Sequence, residues 1–312
     1  MNDRMDILVT LSTFGRYSDQ PVRLLELSGR PFRINSYGRR MRPEEVVEEG
    51  IHCRGLVAGV EEYDSDTLGR LTRLRCISRC GSGIDSIDLS EAKRRGITVL
   101  NTPDDPTEAA AELTLSMMLG LMRRLPLVDS MMHNLKWQRV TGNLLAGKTV
   151  GIIGLGRIGK RVAELVQAFR ADVIGVDPNA DPEWAQEHSV ELVDLSGLLS
   201  LSDIISIHAS SSGKSPLRLG REELAEMKQG AWLINVARGD MVDDVALNEA
   251  VLSGRLSGAG LDVFQKEPYQ GPLCNNDHVI LSPHQATLTR ETRAAMETHA
   301  VRNLLRFLMD EK

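Results

Sequence analysis

The run TVGIIGLGRIGKRVAELVQAF, residues 149–169, constrains this chain more than any other stretch. An apolar strand, a turn with glycines at Gly154, Gly156 and Gly159, and an amphipathic helix follow one another without a break. Such a turn suits a phosphate group. The first glycine bends the chain, the second lets backbone approach a pyrophosphate, and the third lets helix and strand pack closely. Amides at the helix start point at that anion, helped by the helix dipole. Arg157 and Ile158 fill the turn, and Arg157 either assists the pyrophosphate or faces solvent. Eighteen residues beyond Gly159 the strand VIGV ends at Asp177. A carboxylate there accepts hydrogen bonds from ribose hydroxyls and repels a 2'-phosphate, so NAD is favoured over NADP. Pro178, Asn179 and Ala180 offer no arginine to receive that phosphate, and a turn cap is the competing use of Asp177.

The remainder repeats the strand–helix rhythm. Before the glycine turn, apolar runs at 7–11, 55–59, 74–79 and 97–101 alternate with helical patterns at 21–27, 44–50 and 89–95. After it, strands are predicted at 173–176, 203–208, 230–236, 258–263 and 279–282, with a helix at 243–252. Short buried strands separated by helices predict an α/β fold with parallel sheets. Residues 107–125 predict a helix of about five turns, too apolar to lie exposed and set between domains or subunits, its methionines serving packing. Residues 131–142 predict an exposed arm, and 289–308 a long amphipathic helix capped by threonine.

Bulk properties narrow the class. The 312 residues suffice for two domains, and 42% hydrophobic with 26% charged residues is a soluble globular profile. A net charge of -6 disfavours nucleic acid as a partner. The cysteines Cys53, Cys76, Cys80 and Cys274 read as free thiols, and no compact ligand cluster suggests a metal. Without a secretory leader or a long apolar span, the expectation is a cytoplasmic chain that makes no membrane contact.

Reducing a 2-keto acid needs a cation for the substrate carboxylate, an acid for the nascent alkoxide, and a carboxylate that favours the acid's charged form. Histidine suits the acid because a neighbouring carboxylate stabilises imidazolium. Candidates lie at predicted strand ends: Arg238 in LINVARGD, Asp262 and Glu267 in GLDVFQKEP, and His284 in VILSPHQAT. Carboxyl ends of parallel strands form one crevice, which brings such distant positions together. His208, ending IISIHAS, is a rival acid.

These blocks, with RCGSGIDSIDL at 79–89 and NTPDDPTEAAAE at 101–112, resemble the D-isomer-specific 2-hydroxyacid dehydrogenases over essentially the whole chain. The phosphoglycerate dehydrogenase-like branch is the nearest. The resemblance implies two Rossmann-like domains, with an NAD-binding domain (102–283) inserted between two parts of a substrate domain (1–101 and 284–312). It implies substrate-carboxylate binding by Arg238, acid–base work by His284 and support of that histidine by Glu267. Asp262 then faces the nicotinamide carboxamide. His208 and Ala237 fall on the cofactor side, and the backbone of Cys80, Gly81, Ser82 and Gly83 holds the substrate carboxylate. Arg79 matches a substrate-side arginine, and Arg139 an arm arginine that reaches the neighbouring subunit's site in a homodimer.

Departures from the pattern stand beside these matches. Ser210 replaces a proline, and Ser212 and Ser215 keep only part of a hydroxyl pattern. Gln285 follows the histidine where a small or apolar residue is commoner, and touches either substrate or its surroundings. A basic position expected in LVAGVEE is absent, with Ala58 and Gly59 there instead. Phosphoglycerate, glycerate and phosphonate-like acids stay open as substrates, as does a glyoxylate or hydroxypyruvate reductase. Ending at Lys312, the chain is expected to lack the regulatory extension of larger phosphoglycerate dehydrogenases. A non-catalytic NAD sensor is disfavoured by Arg238, Glu267 and His284. Formate oxidation is disfavoured because formate has no 2-hydroxyl to protonate.

Overall fold

The computed structural model describes residues 5–209 and 217–310. Ser210, Ser212 and Ser215 lie outside the described residues. The chain forms two compact units, Met1–Pro106 with Thr287–Lys312, and Thr107–Ala286. The divisions fall beyond the expected 101/102 and 283/284, so His284 belongs to the second unit. The backbone gives the reason: its N–H donates to the carbonyls of Asp262 (2.8 Å) and Ser282 (3.0 Å) in that unit.

The first unit carries β1 (Ile7–Val9), β2 (Phe32–Ile34), β3 (Gly55–Ala58), β4 (Cys76–Arg79) and β5 (Thr98–Asn101). All pair in parallel, in the order β2-β1-β3-β4-β5. Side chains alternate between faces along each strand. Leu8, Leu56 and Ile77 face α2 (Pro43–Gly50), α3 (Ser65–Arg70) and α4 (Leu89–Arg94) through Val46, Leu68 and Ala92. Ile7, Val9, Val57 and Cys76 face α1 (Gln20–Leu27) and the C-terminal helix α12 (Arg290–Asp310) through Leu25, Val301 and Leu304. Both faces are therefore covered, which is why these strands read as apolar runs.

Aspartates start several helices. Asp64 and Asp88 accept from Thr67 and Glu91 amides (2.8 and 2.9 Å), satisfying donors the first helical turn leaves unpaired. Thr289 begins α12, its hydroxyl accepting from the Thr292 N–H at 3.2 Å.

The second unit opens with α5 (Thr107–Met122) and α6 (Leu125–His133). The expected single helix stops where Arg124 takes φ 51°, with Pro126 in the first turn of α6. The setting of α5 within its own unit is clear. It packs within its own unit against α7 (Arg157–Ala168), and Met117, Met118, Leu121 and Met122 join that unit's core.

The sheet follows as β6 (Thr149–Ile153), β7 (Asp172–Val176), β8 (Val190–Leu192), β9 (Ile204–Ile207), β10 (Ala231–Asn235), β11 (Leu256–Leu261) and β12 (Val279–Leu281). Its order is β12-β11-β10-β9-β6-β7-β8, all parallel, and chain direction through the sheet reverses between β6 and β9. Ile152 and Ile234 face α5 and α7. Ile153, Ile205 and Leu233 face α9 (Leu195–Leu201), α10 (Arg221–Glu226) and α11 (Asp244–Leu252). Besides α8 (Pro182–Glu187), the short elements β8, α9 and α10 had no distinct signal in the sequence. Among the described residues, no helix is long and apolar enough to cross a membrane.

Leu304, fully buried on α12, tests how firmly this helix holds its sheet. Leu304→Ala should cost about 2–5 kcal/mol, read as a lower urea midpoint; an unchanged midpoint would mean α12 contributes little to that unit.

Candidate active site

The sheet reversal between β6 and β9 leaves a crevice at their carboxyl ends, where an open α/β sheet binds ligands. The glycine turn borders it. Gly154 takes φ +95°, and a Cβ there would meet the Ala209 nitrogen at 2.5 Å and the His208 carbonyl carbon at 2.7 Å. At Gly159 a Cβ would strike the Gly154 carbonyl oxygen, whereas at Gly156 it would meet open space. The turn is thus held by two close approaches and bare at the glycine that starts α7, where no side chain caps the amides.

Asp177, half-buried after β7, accepts from the Leu155 N–H (2.8 Å) and the Asn179 N–H (2.7 Å). The carboxylate caps the turn and is oriented by it, so the two readings of Asp177 are compatible. Each oxygen keeps a lone pair for a ribose hydroxyl. Arg157 is exposed, and Ile158 packs partly against the core.

His208 lies against the glycine turn, its N–H bonded to the Ile153 carbonyl at 2.7 Å and its Nε2 2.8 Å from the Ser206 hydroxyl. Its Nδ1 is buried without a hydrogen-bond partner. Burial pushes the imidazole down to about 3, so it is neutral at ordinary pH and unsuited to deliver a proton. An orphaned ring nitrogen, uncapped helix amides and a glycine open to space together fit a bound dinucleotide.

The proposed chemistry gathers on the adjoining strand ends β10, β11 and β12. Asn235, fully buried at the end of β10, accepts from the Ala237 N–H (3.0 Å) and donates to the Arg238 carbonyl (2.8 Å). It fixes the turn from which half-buried Arg238 projects, while Ala237 itself is buried. Gly239 follows, lying so close to the Phe264 backbone that a Cβ would overlap it. This contact joins the Arg238 turn to the loop after β11. In that loop Glu267 accepts from the Phe264 N–H (3.1 Å) through Oε1, and its Oε2 lies 3.0 Å from His284 Nδ1. Both side chains stay open to solvent, 52% for His284 and 39% for Glu267. The structure therefore brings Glu267 and His284 into contact and sets Arg238 on the neighbouring turn.

Asp262, expected on the nicotinamide carboxamide, is also held by donors of its own unit. It is fully buried, accepting from the Ser282 hydroxyl (2.5 Å) and from the Gln285 and Ala286 amides (2.8 and 2.9 Å). Its carboxylate holds the turn that carries His284. Gln285 is attached there by its backbone. Asn235, Gly239 and Ser282 were not singled out in the sequence, although each lies inside a motif block that was.

In the first unit, the loop after β4 is also revised. The Cys80 N–H donates to the Ala58 carbonyl (2.8 Å) and the Gly81 N–H to the Thr102 hydroxyl (2.8 Å), so neither amide is left for a substrate. Burial pushes the Cys80 thiol up to about 12, leaving it inert. Ser82 is exposed and Gly83 half-buried. Arg79 is half-buried across Gly81 and donates to the Cys80 carbonyl, and Arg139 is exposed on the arm after α6. Among the described residues no group of three or more His, Cys, Asp or Glu is arranged to hold a metal ion.

Fold and site together define a Rossmann-type dinucleotide-binding protein with an arginine and a glutamate–histidine pair on neighbouring strand ends. Residues 115–286 match the family described as "D-isomer specific 2-hydroxyacid dehydrogenase, NAD binding domain", and the chain belongs to that family. It is 38% identical over 250 residues to a D-3-phosphoglycerate dehydrogenase of Methanocaldococcus jannaschii, covering 79% of this chain and 48% of that protein. It thus spans about half the length of the curated relatives it matches. Among solved structures, a Thermus thermophilus protein superposes with a TM-score of 0.87 at 34% identity, over 99% of this chain and 98% of the other. A glyoxylate reductase from Paecilomyes thermophila gives 0.87 at 27% identity, over 100% and 97%.

The depressed His208 makes stability pH-dependent with a definite sign. Below about pH 6.5 the unfolded chain takes up a proton that the folded chain refuses until about pH 3. Stability attributable to this group is therefore complete above the unfolded value and lost as pH falls through that window. His208→Gln should recover roughly 2–3 kcal/mol of that loss at pH 4, measured by denaturant titrations at pH 7 and pH 4. Equal losses in both proteins would reject the assignment.

Proposed function

We propose that this chain is an NAD-dependent dehydrogenase interconverting a small D-2-hydroxy acid and its 2-keto acid. The observation that carries the reading is the 3.0 Å contact between His284 Nδ1 and Glu267, beside the turn of Arg238. Glu267 accepts a hydrogen bond from Nδ1, which orients the ring and leaves Nε2 to exchange a proton with the substrate oxygen. Arg238 binds the substrate carboxylate and polarises the carbonyl, as a planar fork of donors suits. In the first unit, Ser82 and Gly83 are the substrate-binding candidates of the loop after β4. When bound, NADH supplies the hydride that reaches C2. The residues toward it are Gly154, Gly156, Gly159, Asp177 and His208, with Arg157, Ile158 and Ala237 lining the same strand ends.

The names of the curated relatives support 3-phosphoglycerate as a substrate, and that of the glyoxylate reductase a smaller acid. The chain works in the cytoplasm as a homodimer. Leu135 and Trp137 are 94% and 82% exposed, with Leu125, Met132 and Leu144 also exposed nearby, an apolar arm suited to a second copy. Arg139 on the same arm reaches the partner's substrate.

His284→Ala should lower turnover of the best keto acid by roughly 10²–10⁴-fold, with NADH affinity close to the parent's by fluorescence titration. Wild-type turnover in that variant would defeat the acid–base assignment. NADH should bind at least about tenfold more tightly than NADPH, because Asp177 opposes the added phosphate. Calorimetric titration of both decides this, and equal affinities would count against Asp177.

A further inference from the structure

In the first unit the sheet order reverses between β1 and β3, so the carboxyl ends of these strands form its ligand-binding end. A buried carboxylate stands there. Glu61 is 2% exposed, and its Oε2 accepts from the Thr10 hydroxyl (2.6 Å), the Gly59 N–H (2.9 Å) and the Tyr63 hydroxyl (3.4 Å). A Cβ at Gly59 would lie 2.9 Å from Glu61 Oε2. The carboxylate therefore fills the space beside the position where a basic side chain was expected.

The cation at this end is already surrounded. Arg79 pairs in register with Ala58, just before Gly59 and Glu61. The buried hydroxyl of Tyr63 feels both groups. Burial and then the Glu61 charge hold it well above its ordinary value, and Arg79 pulls the other way. Beside Cys80 the second cation, Arg293, is bonded to fully buried Glu297 at 2.9 Å. Asp105, whose charge also reaches Cys80, is paired with His299 at 2.8 Å. Near the loop after β4, Arg293 and Asp105 thus already have partners within the unit, Glu297 and His299.

We propose that Glu61 sets substrate specificity, its buried charge offsetting Arg79 so that the first unit favours a 2-hydroxy or 2-keto acid with an uncharged 3-substituent over its 3-phosphate. A phosphate adds roughly -1.5 to -2 of charge, which a buried carboxylate nearby opposes with little screening. Glu61 acts through the field and through Arg79, without touching the substrate. This narrows the substrate class of the dehydrogenase reading and rests on it.

The test compares hydroxypyruvate with 3-phosphohydroxypyruvate under NADH, in the parent and in Glu61→Gln. The parent should favour hydroxypyruvate in kcat/KM by about tenfold or more. Glu61→Gln should move that ratio about tenfold toward the phosphorylated compound, with little dependence on salt because the carboxylate is buried. A structural role alone would lower both rates and leave the ratio unmoved. A parent that prefers the phosphorylated compound, or a folded variant with an unmoved ratio, would overturn the proposal. Where the variant does not fold, or no keto acid is reduced, calorimetry on the parent with NADH compares D-glycerate with 3-phospho-D-glycerate. Tighter glycerate supports Glu61 as the selector, and tighter phosphoglycerate overturns it. Absence of turnover with every 2-keto acid would instead count against the dehydrogenase reading.

Discussion

A buried carboxylate held by neutral donors among the described residues organises the candidate site. Asp262 takes three donors from the turn after β12, and its own carbonyl takes a fourth from the His284 N–H. Those bonds hold His284 at φ 51°, a backbone conformation that costs a non-glycine residue about 1–2 kcal/mol. The turn is over-determined by its hydrogen bonds, which is how such a conformation persists. The result is an imidazole presented to Glu267 from a rigid strand end. An unpaired anion at Asp262 would be costly in that interior, and the converging amides and hydroxyl offset its desolvation.

The two units solve the same topological problem with different chemistry. Each is a parallel sheet whose order reverses once, and each places polar residues at the carboxyl ends beside that reversal. In the second unit the reversal is dressed with glycines, free helix amides and a neutral histidine, an environment for an anionic dinucleotide. In the first it holds Thr10, Glu61 and Tyr63, with Arg79 one strand away.

Much of this was legible in the chain. The strand–glycine–helix run, Asp177 and the blocks carrying Arg238, Glu267 and His284 are local patterns, and local patterns survive in one dimension. Strand positions were readable because both faces of each sheet are covered, so the strands are nearly all apolar. The extent of α5 was misread because leucines and methionines continue past Met122 while the backbone turns at Arg124. The burial of Asp262 was invisible, since an aspartate at a strand end reads alike whether it faces a ligand or a turn. The same holds for Cys80 and Gly81, whose amides are spent on Ala58 and Thr102.

The sequence alone determined the fold class and the dinucleotide turn, because periodicity and glycine placement act over a few neighbouring residues, and its motif blocks carried the candidates Glu267 and His284. Only the tertiary structure decided which polar groups are used up internally. It turned Asp262 inward, gave His284 to the second unit and laid Glu61 against Gly59. Hydrogen-bond satisfaction and burial depend on partners far apart in the chain, and only folding brings them within reach.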